Sequence, residues 1–206
     1  MKVRSSVIAL VICVAFVLGS VGPVYSGSTN RAWVEERLGA MTVEEKVGQL
    51  FIGYFEGPVL SPELHNKIIN KHFGGVILYN ITGNITNGPQ TAGLVRDIQT
   101  AALANGQIPL FIALDQEGGR VVRLAENEGV TEFPGNMALG AAGRTDLAAE
   151  AAAVMAGELR ALGINMNFAP VLDVNSNPAN PIISTRSFGS SPANVALFGG
   201  AVVKAI

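Results

Sequence analysis

Four short apolar runs recur along this chain, and a segment with helix-forming character follows each of them. The runs lie at about 49–55, 76–79, 110–114 and 164–173. They are apolar rather than alternating, which is typical of strands that helices cover on both faces of a parallel sheet. The order of strand, helix, strand, helix therefore predicts an α/β fold with parallel strands and intervening helices.

Four such units fit either a small doubly wound sheet or the first half of a (β/α)8 barrel. A complete barrel of this type has about 250 residues, whereas this chain has 206 and stops inside a predicted helix that starts at Ser191-Pro192. The favoured prediction is the N-terminal half of a (β/α)8 TIM-type barrel, in a truncated chain.

Local signals place the helices between the runs. Residues 42–45, Thr-Val-Glu-Glu, form a capping-box pattern, and Ser61-Pro62 combines an N-cap hydroxyl with a proline at the first helical position. These signals predict helices from about 62 to 72, 90 to 105 and 146 to 162, the last of them capped by Thr145. Residues 27–31 are predicted to be a polar linker.

The N-terminal residues 1–26 have the pattern of a secretory signal peptide. Lys2 and Arg4 precede an uncharged apolar run at 7–18, and Val24-Tyr25-Ser26 places small residues at the positions that a signal peptidase reads. An uncleaved membrane anchor is the disfavoured alternative, because the run is shorter than the about 20 residues that span a bilayer. We therefore expect export to the periplasm or beyond the cell, with no stable membrane span after cleavage.

Composition excludes several classes of protein. The hydrophobic content of 49% with 15% charged residues indicates a globular chain, and a net charge of −2 without a basic stripe gives no reason to expect nucleic acid. Cys13, which is the only cysteine, lies inside the predicted signal peptide. The mature chain would then lack disulfides and thiolate metal sites, and we predict no metal and no cofactor.

The run at 110–114 delivers a charged loop to one end of the predicted sheet. Asp115 follows the run directly, and Glu117, Arg120 and Arg123 come within the next eight residues, around Gly118-Gly119. A carboxylate there can accept paired hydrogen bonds from the vicinal hydroxyls of a sugar, while a guanidinium adds donors. Internal Asp–Arg and Glu–Arg pairs that only hold the loop are the alternative, and spacing alone leaves both open.

Several motifs, in order, carry a family resemblance. They are MTVEEKVGQLF at 41–51, GGVILYN at 74–80, LFIALDQEGGRVVRL at 110–124 with Phe133-Pro134 after it, GINMNFAPVLDV at 163–174 and TRSFG at 185–189. Together they resemble glycoside hydrolase family 3, most of all its β-N-acetylhexosaminidase branch. Glucosidase-like members usually have a histidine-glycine pair where this chain has Glu117-Gly118. The resemblance implies that residues 27–206 are an incomplete N-terminal domain of this family.

The resemblance also implies roles for individual residues. Asp115 would hold hydroxyls of the terminal sugar, and Arg123 and Arg186 would line the same subsite. Arg120 would brace the loop, and Asp173, at the end of the fourth predicted strand, would be structural. The implied reaction is retaining release of terminal β-linked N-acetylglucosamine from oligosaccharides of the peptidoglycan or chitin type, without a metal.

The resemblance places the catalytic groups outside this chain. Members of the branch carry a histidine-rich loop and a nucleophilic aspartate after the TRSFG region, and residues 1–206 contain neither motif. The histidines, His65 and His72, precede the second strand, and residues 71–75 are predicted to be a helix end plus turn. The alternatives are a non-catalytic sugar-binding or inactive fragment, and a β-glucosidase or β-xylosidase of the same family.

Overall fold

The computed structural model describes residues 27–125 and 129–206, so the predicted signal peptide and Cys13 lie outside the described residues. The chain divides into two units, residues 1–42 and residues 43–206. The first unit contains helix α1 (Gly27–Ala40). The prediction of a polar linker at 27–31 is therefore wrong. No proline interrupts this stretch, and Arg31 pairs with Glu35 one helical turn later at 2.9 Å.

The second unit is built on one parallel sheet in the order β1-β2-β3-β4. The strands are β1 (Ile52–Tyr54), β2 (Gly75–Ile77), β3 (Phe111–Leu114) and β4 (Met166–Asn167). The register aligns Gly53 with Val76, Val76 with Ile112, and Ala113 with Met166. Each strand lies beside the next one in the sequence, which confirms the predicted parallel α/β organisation, and the sheet is open.

The described residues of this unit also form six α-helices, which lie before, between and after the strands. They are α2 (Val43–Gly48), α3 (Pro62–Ile69), α4 (Gly88–Ala104), α5 (Asn136–Ala142), α6 (Thr145–Ala161) and α7 (Pro192–Ala205), with a 3-10 turn at Ser184–Arg186. Within the described residues, no helix combines the length and the hydrophobicity that crossing a membrane requires.

The sequence signals predict the N-cap residue correctly for α3 and wrongly for α6. The Ser61 hydroxyl accepts a hydrogen bond from the Leu64 N–H at 3.1 Å, as the Ser-Pro signal predicts. Thr145, by contrast, is the first residue inside α6, and Arg144 takes the N-cap position without a side-chain cap bond. Gly143, in a left-handed conformation with φ of +67°, ends α5 one residue earlier. This close junction leaves Thr145 inside the first turn.

The fourth strand is much shorter than the predicted range of 164–173, because side chains take over part of its pairing. The Asn165 amide accepts from the Ile112 N–H at 2.8 Å and donates to the Leu110 carbonyl at 3.0 Å. The Asn167 amide bonds both backbone groups of Gln116, each at 2.9 Å. Strand β4 is therefore joined to β3 along a greater length than its two backbone-paired residues.

The core has two parts. The larger one lies between the sheet and α3 and α4, and the smaller one joins α6 and α7 around Phe188, whose ring stacks on Phe198 with centroids 5.5 Å apart. Fully buried members of the larger part include Leu64, Ile68, Val76, Leu78, Ile98, Ile112 and Leu114. The larger part thus packs α3 and α4 against the sheet, and the carboxyl ends of the parallel strands lie along one edge.

Two helical glycines differ in what surrounds them, which predicts opposite effects on stability. A Cβ on Gly140 would lie 2.1 Å from the Phe188 carbonyl oxygen, whereas a Cβ on Gly157 would meet no described heavy atom within 4 Å. We expect Gly140→Ala to lower the free energy of unfolding by about 1–3 kcal/mol through overpacking. Gly157→Ala should raise it by about 0.5–1 kcal/mol. Urea denaturation measures both, and a shift of the same sign in both variants would contradict the packing at α5.

Candidate functional site

The candidate site lies on residues 115–124, called here the carboxylate loop, which leaves the carboxyl end of β3. Asp115 follows the last strand residue, and its Oδ2 accepts a hydrogen bond from Arg123 Nη2 at 2.7 Å. The two side chains keep 21% and 26% of their surface exposed. This pair occupies one carboxylate oxygen and one of the five guanidinium N–H groups, so it is oriented and still reachable from solvent.

Gln116 holds the two ends of the carboxylate loop together. Its side chain is buried, and its Oε1 accepts from the N–H groups of Arg123 at 2.9 Å and Leu124 at 3.1 Å. Its Nε2 donates to the Leu124 carbonyl at 2.7 Å. Sequence analysis missed this residue, because a glutamine between two carboxylates gives no local sign that it bonds backbone eight residues away.

The segment after β2 contributes the surface against which Arg123 lies. The guanidinium carbon of Arg123 is 5.3 Å from the centre of the Tyr79 ring, within the range of a cation–π contact. The Asn80 amide donates to the Arg123 carbonyl at 2.5 Å. Both residues belong to the GGVILYN motif, but the motif alone did not indicate a contact with the carboxylate loop.

Glu117 forms the second charged pair, with an arginine 69 residues away. Arg186 donates from Nε to Glu117 Oε2 at 2.9 Å and from Nη2 to Oε1 at 2.7 Å. The Glu117 side chain is 4% exposed and that of Arg186 is 27% exposed. Hydrogen bonding to Glu117 raises the pKa of Arg186, and the negative charges of Asp173 and Asp115 add to the shift. The pair ties the carboxylate loop to the 3-10 turn.

The Gly118-Gly119 pair lets a neighbouring segment approach the loop. Both glycines have positive φ, +87° and +59°, and a Cβ would lie 2.8 Å from the Pro134 oxygen or 2.7 Å from Gly135 Cα respectively. The Gly119 N–H donates to the Phe133 carbonyl at 2.8 Å. Any side chain at either position would push the 133–135 segment away from the site.

Two sequence-predicted residues have different positions from those expected. Arg120 is exposed, and within the described residues it has no hydrogen bond or ion pair, so the prediction that it braces the loop is wrong; Gln116 does so. Asp173 is exposed and lies beyond β4, and its backbone oxygen accepts from Ser187 Oγ at 2.6 Å. The Asp173 backbone therefore anchors the TRSFG segment through Ser187, and the Asp173 carboxylate adds a negative charge near Arg186.

The histidines lie outside the carboxylate loop. His65 is in α3, and His72 lies in the turn before β2 with a φ of +56° and its Nδ1 3.1 Å from Gln107 Nε2. The predicted turn is confirmed at residues 71–74, but α3 ends at Ile69 rather than near residue 72, and Gly75 belongs to β2. Across residues 27–125 and 129–206, no three His, Cys, Asp or Glu side chains are grouped to hold a metal ion.

The buried Glu117–Arg186 pair predicts a large loss of stability when one charge is removed. In Glu117→Gln, the amide oxygen would keep one of the two hydrogen bonds, but the NH2 group would face a guanidinium that offers only donors. Arg186 would also lose the negative charge that compensates its own. We expect a loss of about 3 kcal/mol, measured by urea denaturation. The control is Glu63→Gln, since Glu63 is 73% exposed in its pair with Lys67, and less than about 0.5 kcal/mol is expected. Similar losses in both variants would show that Glu117 has no special role.

Known proteins resemble this chain in sequence. It is 47% identical over 150 residues to Beta-hexosaminidase A of Pseudoalteromonas piscicida, covering 71% of this chain and 25% of that protein. It is 40% identical over 177 residues to the Beta-N-acetylglucosaminidase/beta-glucosidase of Cellulomonas fimi, covering 85% and 29%. The chain thus spans a quarter to a third of the length of these relatives.

The fold is similar to that of a solved glycoside hydrolase family 3 beta-N-acetylglucosaminidase from Paenibacillus sp. str. FPU-7. The TM-score is 0.77 at 47% identity, and the match covers 81% of this chain and 31% of the other. This similarity confirms the prediction of half of a barrel, here an open four-stranded sheet. Residues 42–206 match the family described as Glycosyl hydrolase family 3 N terminal domain. The chain therefore belongs to glycosyl hydrolase family 3, through its N-terminal domain.

Proposed function

We propose that this chain supplies the terminal-sugar subsite of a retaining β-N-acetylhexosaminidase. Its substrate would be terminal β-linked N-acetylglucosamine in oligosaccharides of the peptidoglycan or chitin type. The Asp115–Arg123 pair at the carboxyl end of β3 is the observation that carries the proposal. The names of the relatives from Pseudoalteromonas piscicida and Cellulomonas fimi support the hexosaminidase assignment.

The pair suits the recognition of a sugar with two neighbouring hydroxyls. One hydroxyl can donate to the Asp115 carboxylate while the next accepts from the Arg123 guanidinium, and charge-assisted hydrogen bonds of this kind are the strong ones. Because the two side chains already contact each other at 2.7 Å, little ordering remains for the moment of binding. Asp115 and Arg123 would therefore select the sugar by the positions of its hydroxyls.

Arg186 would reach the same subsite from the 3-10 turn. Two of its nitrogens bond Glu117, and Nη1 donates to the Ile182 carbonyl at 3.3 Å. Of its five N–H groups, two remain for a substrate oxygen. Glu117 would fix the direction in which they point, which assigns Glu117 a supporting role and Arg186 the contact.

We assign the covalent step to a histidine and an aspartate outside residues 1–206. A retaining glycosidase places its nucleophile and its acid/base about 5–5.5 Å apart across the bond. In the described residues, Asp115 and Glu117 are each paired with an arginine. His65 is exposed in the first turn of α3, and His72 lies in the turn before β2 beside Gln107. We also propose export of the protein, on the signal-peptide pattern of residues 1–26.

A β-glucosidase is the second candidate, and one observation favours it. The Cellulomonas fimi relative carries both activities in its name, so similarity to it supports a glucosidase as well as a hexosaminidase. Affinities for glucose and N-acetylglucosamine distinguish the candidates. Equal binding of the two sugars would favour the second.

The purified 206-residue chain should bind N-acetylglucosamine without hydrolysing a chromogenic N-acetylglucosaminide. Binding is followed by NMR titration of backbone amides, with shifts expected at residues 115–124, and turnover by absorbance. Turnover would contradict the assignment of the catalytic groups to residues outside this chain. Absence of any binding would contradict the proposed subsite.

Asp115→Asn should weaken the binding of N-acetylglucosamine about tenfold, because a charged hydrogen bond of about 1.5 kcal/mol becomes neutral. The matched control is Asp146→Asn. Asp146 also pairs with an arginine, Arg144, but on the exposed start of α6. The same titration should give an affinity within about twofold of wild type for the control, and an equal loss in both variants would remove Asp115 from the subsite.

A further inference from the structure

We infer that Gln116 is a positioning residue that sets the Arg123 guanidinium against Asp115, an inference that rests on the proposed function of that pair. Gln116 lies between the two carboxylates but turns away from them. Its side chain is 3% exposed and bonds only backbone groups of residues 123 and 124 among its described partners. Its effect on a sugar would therefore pass through Arg123.

The three hydrogen bonds of the Gln116 carboxamide, called here the clamp, satisfy backbone groups in the way that a neighbouring strand would. The Oε1 atom satisfies two backbone N–H groups, and the Nε2 atom satisfies the Leu124 carbonyl. Leu124 is fully buried, so its backbone groups would otherwise lack partners at a cost of about 1–3 kcal/mol each. The clamp fixes the backbone from which the Arg123 side chain starts.

Backbone placement decides the position of Arg123, because few other contacts hold its side chain. Within the described residues, the guanidinium bonds Asp115, lies over the Tyr79 ring, and leaves its buried Nε without a hydrogen-bond partner. An unsatisfied buried N–H favours rotation of the side chain towards water. Asp115 and Arg123 are eight positions apart in the sequence. The Gln116 clamp keeps the backbone of residue 123 beside Asp115, which favours the paired position of the side chain.

The clamp itself is anchored to the sheet. The Asn167 amide bonds the N–H and the carbonyl of Gln116, each at 2.9 Å. A series of carboxamides thus runs from β4 through Gln116 to the backbone of Arg123. The position of β4 therefore bears on the geometry of the Asp115–Arg123 pair.

The chain contains a matched control for this clamp. Gln99, in α4, bonds the backbone of Leu110 in the same manner, accepting its N–H and donating to its carbonyl, each at 2.9 Å. Leu110 precedes β3, at the end of the strand opposite to Asp115. Removing the Gln99 amide costs comparable hydrogen bonds without touching the proposed subsite.

The test compares Gln116→Met with Gln99→Met, using N-acetylglucosamine titrations of the 206-residue chain. We expect Gln116→Met to weaken binding about tenfold and Gln99→Met to stay within about twofold of wild type. In an Arg123→Ala background, Gln116→Met should have no further effect on affinity, as expected of a residue that acts through Arg123. Equal losses in the two glutamine variants, or an undiminished effect in the Arg123→Ala background, would overturn the inference.

A second readout does not depend on the sugar. A guanidinium held by a carboxylate rotates slowly about its Cζ–Nη bonds, so the Arg123 Nη signals should be resolved by ¹⁵N NMR in wild type and Gln99→Met and averaged in Gln116→Met. Resolved signals in Gln116→Met would overturn the inference, whether or not wild type binds sugar. Failure of wild type to bind sugar would separately refute the proposed function. If Gln116→Met does not fold, Gln116→Glu keeps both accepted bonds and should retain resolved Arg123 signals; averaged signals there would count against the clamp.

Discussion

Side-chain amides that bond the backbone hold this sheet together at the places where its strands end. Around strand β3, the Gln99 side chain bonds the residue before the strand, Asn165 and Asn167 lie alongside it, and Gln116 lies two residues after it. Buried N–H and C=O groups need partners, and strands of two to four residues leave many of them beyond the ladder. The amides supply those partners, and they anchor the charged loop to the sheet.

Asn84 plays the same part under the loops that follow β1 and β2. This fully buried amide accepts from the Tyr79 N–H at 3.0 Å and donates to the carbonyls of Phe55 and Gly57, at 3.2 and 3.0 Å. It therefore fixes the chain on either side of Asn80, which contacts Arg123. The candidate subsite is supported from β2 and from β4, although its charged pair comes from the loop after β3 alone.

The two ion pairs of the site differ in burial, and this difference separates their roles. Glu117 is nearly inaccessible and is held at both oxygens by Arg186, so it contributes to the connection between loop and turn. Asp115 keeps about a fifth of its surface exposed and is bonded at one oxygen only by Arg123. A ligand can reach Asp115 and cannot displace Glu117 without breaking a bidentate pair. The structural interpretation of the loop therefore fits Glu117, and the proposed sugar recognition concerns Asp115.

Local sequence signals predicted the parallel α/β order, the start of α3 and the position of Asp115 after a strand, because each depends on a few neighbouring residues. The pairing of Glu117 with Arg186 could not be predicted, since the two residues are 69 positions apart and meet only after β4 and α6 have packed. The predicted length of β4 was wrong for a related reason. Asn165 and Asn167 are poor strand formers by propensity, yet here their side chains make the hydrogen bonds that the backbone of a strand would make. The contacts of Gln116 were equally hard to predict, because its side chain bonds backbone groups of residues 123 and 124 that only the folded loop brings close. The contacts of the polar residues that decide the geometry of this site therefore cannot be predicted from their sequence neighbours.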